Sequence, residues 1–244
     1  MKLSLVAAAS ALAFAACAAP ADESAGDGEA THDELRRYVD AAKERPEVGI
    51  VSMPGSYCTG TLIGPRTVLT AAHCFDFGSA IVAMSSAPIG NFVIERADGS
   101  RTTYPFHRER ADATIIDVKF DLAVVQLDVP VPADVTPASV ASEWPSDGRL
   151  TVYGFGRFGK GCESSDAAAH LKRKTTVPIS FPFVKSVTCP GDSGGPYFIG
   201  DSNVIVATVK GDGAGLEWVA DAADHHDWIM KHRTAAERGE LTID

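Results

Sequence analysis

From Pro46 onward the chain alternates between short apolar runs rich in Val, Ile, Thr and Phe and brief clusters of Gly, Pro, Asp, Asn and Ser. Runs of this kind, bounded by turn residues, predict β-strands. They fall at Val48–Met53, Thr59–Ile63, Thr67–Thr70, Ala80–Met84, Asn91–Glu95, Thr114–Val118, Leu122–Leu127, Leu150–Tyr153, Thr176–Ile179, Pro196–Ile199 and Val204–Val209. Gly64-Pro65, Asp98-Gly99, Asp147-Gly148 and Asp201-Ser202-Asn203 supply turns between them. Around Asp221–Arg238 the period lengthens to that of a helix, with Ala222, Trp228, Ile229 and His232 recurring among charged neighbours. A second, shorter helical pattern lies at Asp33–Lys43, where Leu35, Tyr38, Val39 and Ala42 share one side, as in a pro-segment or packing arm. Many short strands with one terminal helix predict an all-β barrel or sandwich.

The beginning of the chain follows a different pattern. After Met1-Lys2, an apolar run extends from Leu3 to Ala16, interrupted by Ser4 and Ser10, and stops at Cys17. A basic start, a short apolar stretch and small residues before a cut describe an export signal over residues 1–16. About 14 residues are too few to span a bilayer as a helix. Phe14-Ala15-Ala16-Cys17 resembles the bacterial lipobox, with Phe14 where leucine is usual. In such a signal the cysteine is acylated and becomes the mature N-terminus. An ordinary secretory cut after Ala15 or Ala19 is the alternative. Residues 18–31 are small, polar and acidic, unable to bury enough apolar area to offset ordering, so residues 17–45 read as a tether or pro-segment.

Composition narrows the function classes. The chain has 244 residues, 45% of them hydrophobic, a formal charge of −10 and five cysteines. That supports a self-sufficient core and excludes collagen-like and disordered classes. The acidic balance argues against nucleic-acid binding, which depends on Lys and Arg to neutralise phosphates. With Cys17 set aside, the four cysteines left in an exported chain predict two disulfides.

The densest chemical signal is Gly191-Asp192-Ser193-Gly194-Gly195-Pro196. Glycines on both sides of a serine allow a sharp turn that exposes its hydroxyl. Upstream stand Leu69-Thr70-Ala71-Ala72-His73-Cys74 and Asp121-Leu122-Ala123-Val124-Val125-Gln126-Leu127. On these three motifs, in the order His, Asp, Ser, the sequence resembles the trypsin/chymotrypsin-like serine endopeptidases over about residues 46–238. The resemblance implies two perpendicular six-stranded antiparallel β-barrels, at about 46–130 and 131–220, and a C-terminal helix at about 221–238. The protease domain would extend over 46–244.

The same resemblance implies the roles. Ser193 would be the nucleophile, His73 its general base and Asp121 the residue that orients the imidazole. The N–H groups of Gly191 and Ser193 would form the oxyanion hole. Cys58-Thr59-Gly60-Thr61-Leu62-Ile63 resembles the family strand whose cysteine pairs beside the catalytic histidine, giving Cys58–Cys74. Cys189 usually pairs with a downstream cysteine; none follows it here, which leaves Cys162.

The resemblance weakens in two places. Activation in the family frees an Ile-Val-Gly-Gly-like N-terminus whose amine pairs with the aspartate before the serine. Asp192 is present, yet no such tetrapeptide lies between residues 17 and 57, and Gly49-Ile50-Val51 is too near Cys58 to serve. Another partner for Asp192 is therefore expected. A latent homologue that binds peptides or proteins with the same cleft is the alternative reading. Val187 stands where trypsin carries the aspartate at the base of its specificity pocket, which disfavours cleavage after Lys or Arg. Val209-Lys210-Gly211 corresponds to the family's substrate-pairing strand, with Lys210 and Gly211 bordering the pocket.

Remaining candidates read as ordinary surface. Lys172-Arg173-Lys174 is expected to be a solvated strand edge, and His107, His170 and His232 surface residues. His225-His226 are adjacent and point apart, so no metal is expected. No cofactor is expected either. The predicted partners are a protein or peptide substrate and, through Cys17, a membrane. The predicted location is a bacterial membrane as an anchored lipoprotein, or else the periplasm or exterior.

Overall fold

The computed structural model describes residues 41–75, 89–107, 114–117, 120–158, 162–164, 170–179, 183–185, 187–213 and 216–241. The signal over 1–16, Cys17, nearly all of the Asp33–Lys43 helix and the Ala80–Met84 strand lie outside them.

Two antiparallel sheets follow one another in the chain. The first contains β1 (Val48–Met53), β2 (Ser56–Gly64), β3 (Thr67–Thr70), β4 (Gly90–Glu95), β5 (Arg101–Phe106), β6 (Thr114–Asp117) and β7 (Leu122–Gln126). Its order is β5-β4-β1-β2-β3-β7-β6. The second contains β8 (Ser139–Val140), β9 (Arg149–Gly154), β10 (Arg173–Pro178), β11 (Phe183–Lys185), β12 (Pro196–Ile199), β13 (Val204–Gly213) and β14 (Leu216–Asp221). Its order is β10-β9-β12-β13-β14-β11, with β8 lying parallel to β13. A helix, α1 (His226–Arg238), follows the second sheet.

The strands read as continuous apolar runs because their two faces enter different cores. Along β1, Ile50 joins the cluster shared by both sheets and α1, while Val51 joins the interior of the first sheet. Leu62 and Ile63, Val68 and Leu69, and Val125 and Val124 divide in the same way. In the second sheet, Val152, Tyr197 and Val206 fill its own interior, whereas Tyr153, Phe198 and Ile205 enter the shared cluster. A period of two carries alternate residues to opposite faces, and here both faces are dry.

Helix α1, which follows the second sheet in the chain, packs on the first, against β2, β3 and β7. It buries Ile229, His232 and Ala236, and Gly239 ends it in the left-handed region at φ 72°. Glu237 ties it to the first sheet by accepting the Arg66 N–H (3.0 Å) and the Thr67 hydroxyl. His232 is thus a core residue rather than a surface one. Its ring stays dry because Nδ1 pairs with the Trp228 carbonyl at 2.8 Å.

Before β1 the chain forms a strap, residues 41–47, laid across the second sheet. The Ala41 N–H donates to the Lys172 carbonyl at 3.1 Å. Lys172 Nζ returns hydrogen bonds to the Glu44 and Arg45 carbonyls at 3.0 and 2.8 Å. Glu44 also accepts from Lys174 and from the Tyr153 hydroxyl. Arg45 reaches the carbonyls of Asp201 and Ser202 and stacks over Phe198. The expected solvated edge at Lys172-Arg173-Lys174 is therefore corrected: Lys172 and Arg173 are buried beneath this strap and the loop after β9.

Candidate active site

His73 sits in the 3-10 turn Ala72–Phe75 that follows β3, and the Cys58–Cys74 disulfide fastens that turn to β2. Asp121 precedes β7, the strand paired with β3, so pairing of Thr70 with Ala123 brings the two residues together. The Asp121 carboxylate accepts from His73 Nδ1 at 2.8 Å (Oδ2) and from the His73 backbone N–H at 2.8 Å (Oδ1). The Asp121 carbonyl accepts the Ala72 N–H. Its backbone is left-handed, φ 63°, a conformation that costs a non-glycine residue about 1–2 kcal/mol. Asp121 is 6% exposed in its side chain and His73 is 43% exposed. A buried carboxylate thus holds Nδ1 as the protonated ring nitrogen, and Nε2 is the basic one.

Ser193 lies in the turn between Cys189 and β12. The Asp192 N–H donates to the Cys189 carbonyl, Gly194 N–H to Val209, and Gly195 N–H to Asp192. Gly191 (φ 99°) and Gly194 (φ 77°) hold conformations that side chains resist. Among the described residues, the N–H groups of Gly191 and Ser193 have no hydrogen-bond partner. The turn rests on the histidine loop: a Cβ on Gly194 would meet Thr70 Oγ1, the Thr59 carbonyl and the Ala71 nitrogen within 2.7 Å.

Thr59, buried on β2, joins the two sides. Its N–H donates to the Ser193 carbonyl (2.8 Å) and its hydroxyl to the Gly191 carbonyl (2.9 Å). That hydroxyl accepts the Phe155 N–H, and the Thr59 carbonyl accepts the Thr70 hydroxyl. Pattern reading misses Thr59, since a threonine in a buried strand is unremarkable until its partners are known.

Asp192 is 1% exposed, and both carboxylate oxygens are taken. Oδ1 accepts the Gly156 N–H at 2.7 Å and Oδ2 the Cys189 N–H at 2.8 Å. Arg173, at 0% exposure, places Nη2 3.7 Å from Oδ1. Burial pushes the Asp192 carboxyl up, opposed by the Arg173 charge and by the two N–H donors. Arg173 also donates to the Gly156 and Arg157 carbonyls and packs over Phe158.

The other site candidates are placed as follows. The second disulfide is Cys162–Cys189, beside the serine turn. Val187 and Val209 are buried together in the interior of the second sheet. Lys210 and Gly211 are half-buried, and a register shift between Val209 and Gly211 leaves Lys210 without a partner residue on β14. His73 lies near Cys58 and Cys74, but those sulfurs are joined to each other and offer no thiolate to a metal. His107 pairs with Asp128 at 2.8 Å, and His170 sets its ring edge-on to Tyr57 at 4.2 Å, so neither is a free surface histidine.

The family model described as Trypsin matches residues 38–229. The chain belongs to the trypsin family. A relative called Trypsin from Saccharopolyspora erythraea is 31% identical over 194 residues, covering 68% of this chain and 81% of that protein. Thrombin-like enzyme elegaxobin-1 from Protobothrops elegans is 26% identical, covering 76% of this chain and 90% of that one. Among solved structures, human heparin binding protein aligns with a TM-score of 0.56 at 20% identity, over 80% of this chain and 94% of the other. That likeness is one of fold: two sheets and a terminal helix are the trypsin-like arrangement. Membership in this family makes the chain a peptidase relative of serine type.

Proposed function

We propose that the chain is an exported serine endopeptidase that cleaves through an acyl-enzyme at Ser193. The observation that carries this reading is the His73–Asp121 pair beside a serine turn with two unengaged N–H groups. Ser193 Oγ attacks the scissile carbonyl, and its proton passes to His73 Nε2. The developing oxyanion takes the N–H groups of Gly191 and Ser193, each donor worth about 3–4 kcal/mol of barrier. As the carbon–nitrogen bond breaks, His73 gives that proton to the leaving amine. Water then enters by the same route, losing a proton to His73, which returns it to Ser193 Oγ as the acyl–oxygen bond breaks and the acid product leaves. Asp121 keeps the imidazole oriented and stabilises its cationic form.

Val187 supports a preference for apolar or small side chains at the cleaved position, since a buried Lys or Arg there would lack a counter-charge. Val209-Lys210-Gly211 is the stretch proposed to pair with substrate backbone. Cys17 is the proposed lipidation site, and residues 17–45 the tether.

A fluorophosphonate probe tests the central claim. The protein is expected to label at Ser193, and Ser193→Ala and His73→Ala are expected to abolish labelling and peptide cleavage. An unlabelled, folded wild type would instead favour the peptide-binding alternative. A peptide library is expected to show cleavage depleted after Lys and Arg, and Cys17→Ser is expected to move the protein from membrane to soluble fractions.

A further inference from the structure

Asp192 is buried directly before the proposed nucleophile, and a buried carboxylate without a counter-charge is strongly destabilising. In activatable relatives a freed N-terminal amine meets that need, and no Ile-Val-Gly-Gly-like tetrapeptide stands between residues 17 and 57 of this chain. A counter-charge already stands inside the second sheet. Arg173 begins β10, pairs in register with Gly154 of β9, and directs its guanidinium to Asp192 Oδ1 at 3.7 Å. The same guanidinium donates to the carbonyls of Gly156 and Arg157. Gly156 in turn donates to Asp192, and the Arg157 N–H donates to the Pro190 carbonyl. Charge and backbone thus lock together the segments 154–157 and 189–192, the second of which carries Gly191.

We propose that Arg173 is a built-in positioning residue that replaces a freed N-terminal amine and holds the Gly191–Ser193 turn in its oxyanion-binding shape in the unprocessed chain. This rests on the peptidase reading above. The strap over residues 41–47 is the second part of the device. Its Ala41 N–H bonds the carbonyl of Lys172, the residue next to Arg173, as an internal amide does. Lys172 and Lys174, on either side of Arg173, are both bonded to Glu44. The chain ahead of the barrels therefore braces the arginine without needing a free terminus.

Two experiments test this. In the first, full-length mature protein is fused at its N-terminus to a folded tag that mass spectrometry shows to be uncleaved. Its kcat/KM is expected within about twofold of the untagged protein, and a gain of about tenfold or more on tag removal would overturn the proposal. This arm needs no substitution, so it decides even where a variant does not fold.

In the second, Arg173→Met is expected to lower kcat by about 100-fold with KM nearly unchanged, the signature of a lost oxyanion donor. A loss of kcat/KM carried wholly by a higher KM, with kcat unchanged, would overturn the proposal. The pairing itself is read without activity. Arg173→Met and Asp192→Asn each strand one buried charge, so the double variant is expected to melt higher than either single variant. Strictly additive melting shifts would overturn the pairing. A wild type that neither labels nor cleaves, with the melting coupling intact, would instead place the failure on the peptidase reading.

Discussion

Gly156 shows how little room the site leaves at the scale of one residue. A Cβ there would lie 2.6 Å from the Asp192 nitrogen and 2.7 Å from both Asp192 Cγ and the Pro190 carbonyl oxygen. Two of those atoms are backbone and cannot swing aside. Gly156→Ala is therefore expected to displace the serine turn, lowering kcat by at least about tenfold and melting below wild type. Gly200 offers the contrast. It is left-handed at φ 53°, and a Cβ added there would meet nothing within 4 Å, so Gly200→Ala should cost about 1–2 kcal/mol of stability and leave kcat alone. Parallel kinetics and thermal melts of the two variants check both statements. The proposed triad of His73, Asp121 and Ser193 can be named from the sequence because each residue sits in a short local motif. Arg173 cannot, because its partners stand far along the chain, and three consecutive basic residues read as solvent-facing until the strap and the 154–157 loop are seen to cover them.

At the scale of elements, the strap and β10 make a pH-dependent unit. Burial pushes the Lys172 ammonium down from 10.5 to about 8, only partly offset by Glu95, Glu47 and Glu44, with Arg101 adding to the fall. Below pH 8 the lysine is charged in both folded and unfolded chains. Between about 8 and 10.5 the unfolded chain keeps the proton that the folded one has lost. Stability contributed by Lys172 therefore rises with pH across that window. Denaturant unfolding should show wild type gaining on the order of 3 kcal/mol relative to Lys172→Met from pH 7.5 to 10.5. Tyr153, pushed up to about 12 in the folded chain by burial and by its bond to Glu44, is common to both proteins and cancels from their difference. A constant difference would refute the assignment.

Element boundaries show the same division between local and distant causes. Val48–Met53, Thr67–Thr70 and Pro196–Ile199 agree with the pattern to the residue, because both their faces are largely buried. Strand β5 escapes the pattern because Arg101-Thr102-Thr103-Tyr104-Pro105-Phe106 is polar and holds a proline. At a sheet edge Pro105 loses no necessary hydrogen bond. Strand β14 escapes it too, and the predicted helix begins at that strand's last residue, Asp221. The helix itself starts at His226.

On the scale of the whole molecule, the site exists only where the two sheets meet, and Thr59 carries much of that meeting. The first sheet supplies His73 and Asp121, and the second supplies Ser193. The Thr59 hydroxyl bridges the Gly191 carbonyl and the Phe155 N–H across the seam. Thr59→Val keeps the shape and the backbone bond to Ser193 but strands the buried Phe155 N–H and takes the donor from the part-buried Gly191 carbonyl. An unpaired buried group costs about 1–3 kcal/mol, so the variant should lose about that much stability. Because the carbonyl that loses its donor belongs to Gly191, a proposed oxyanion donor, kcat should fall as well, with KM little changed. Thr61, two residues along the same strand, is the matched control. It is equally buried, yet its hydroxyl has no hydrogen-bond partner among the described residues. Thr61→Val should be neutral or stabilising and kinetically silent. Two isosteric changes in one strand would then separate a seam that aligns the proposed catalytic groups from one that merely packs, since packing alone predicts the same outcome at both positions.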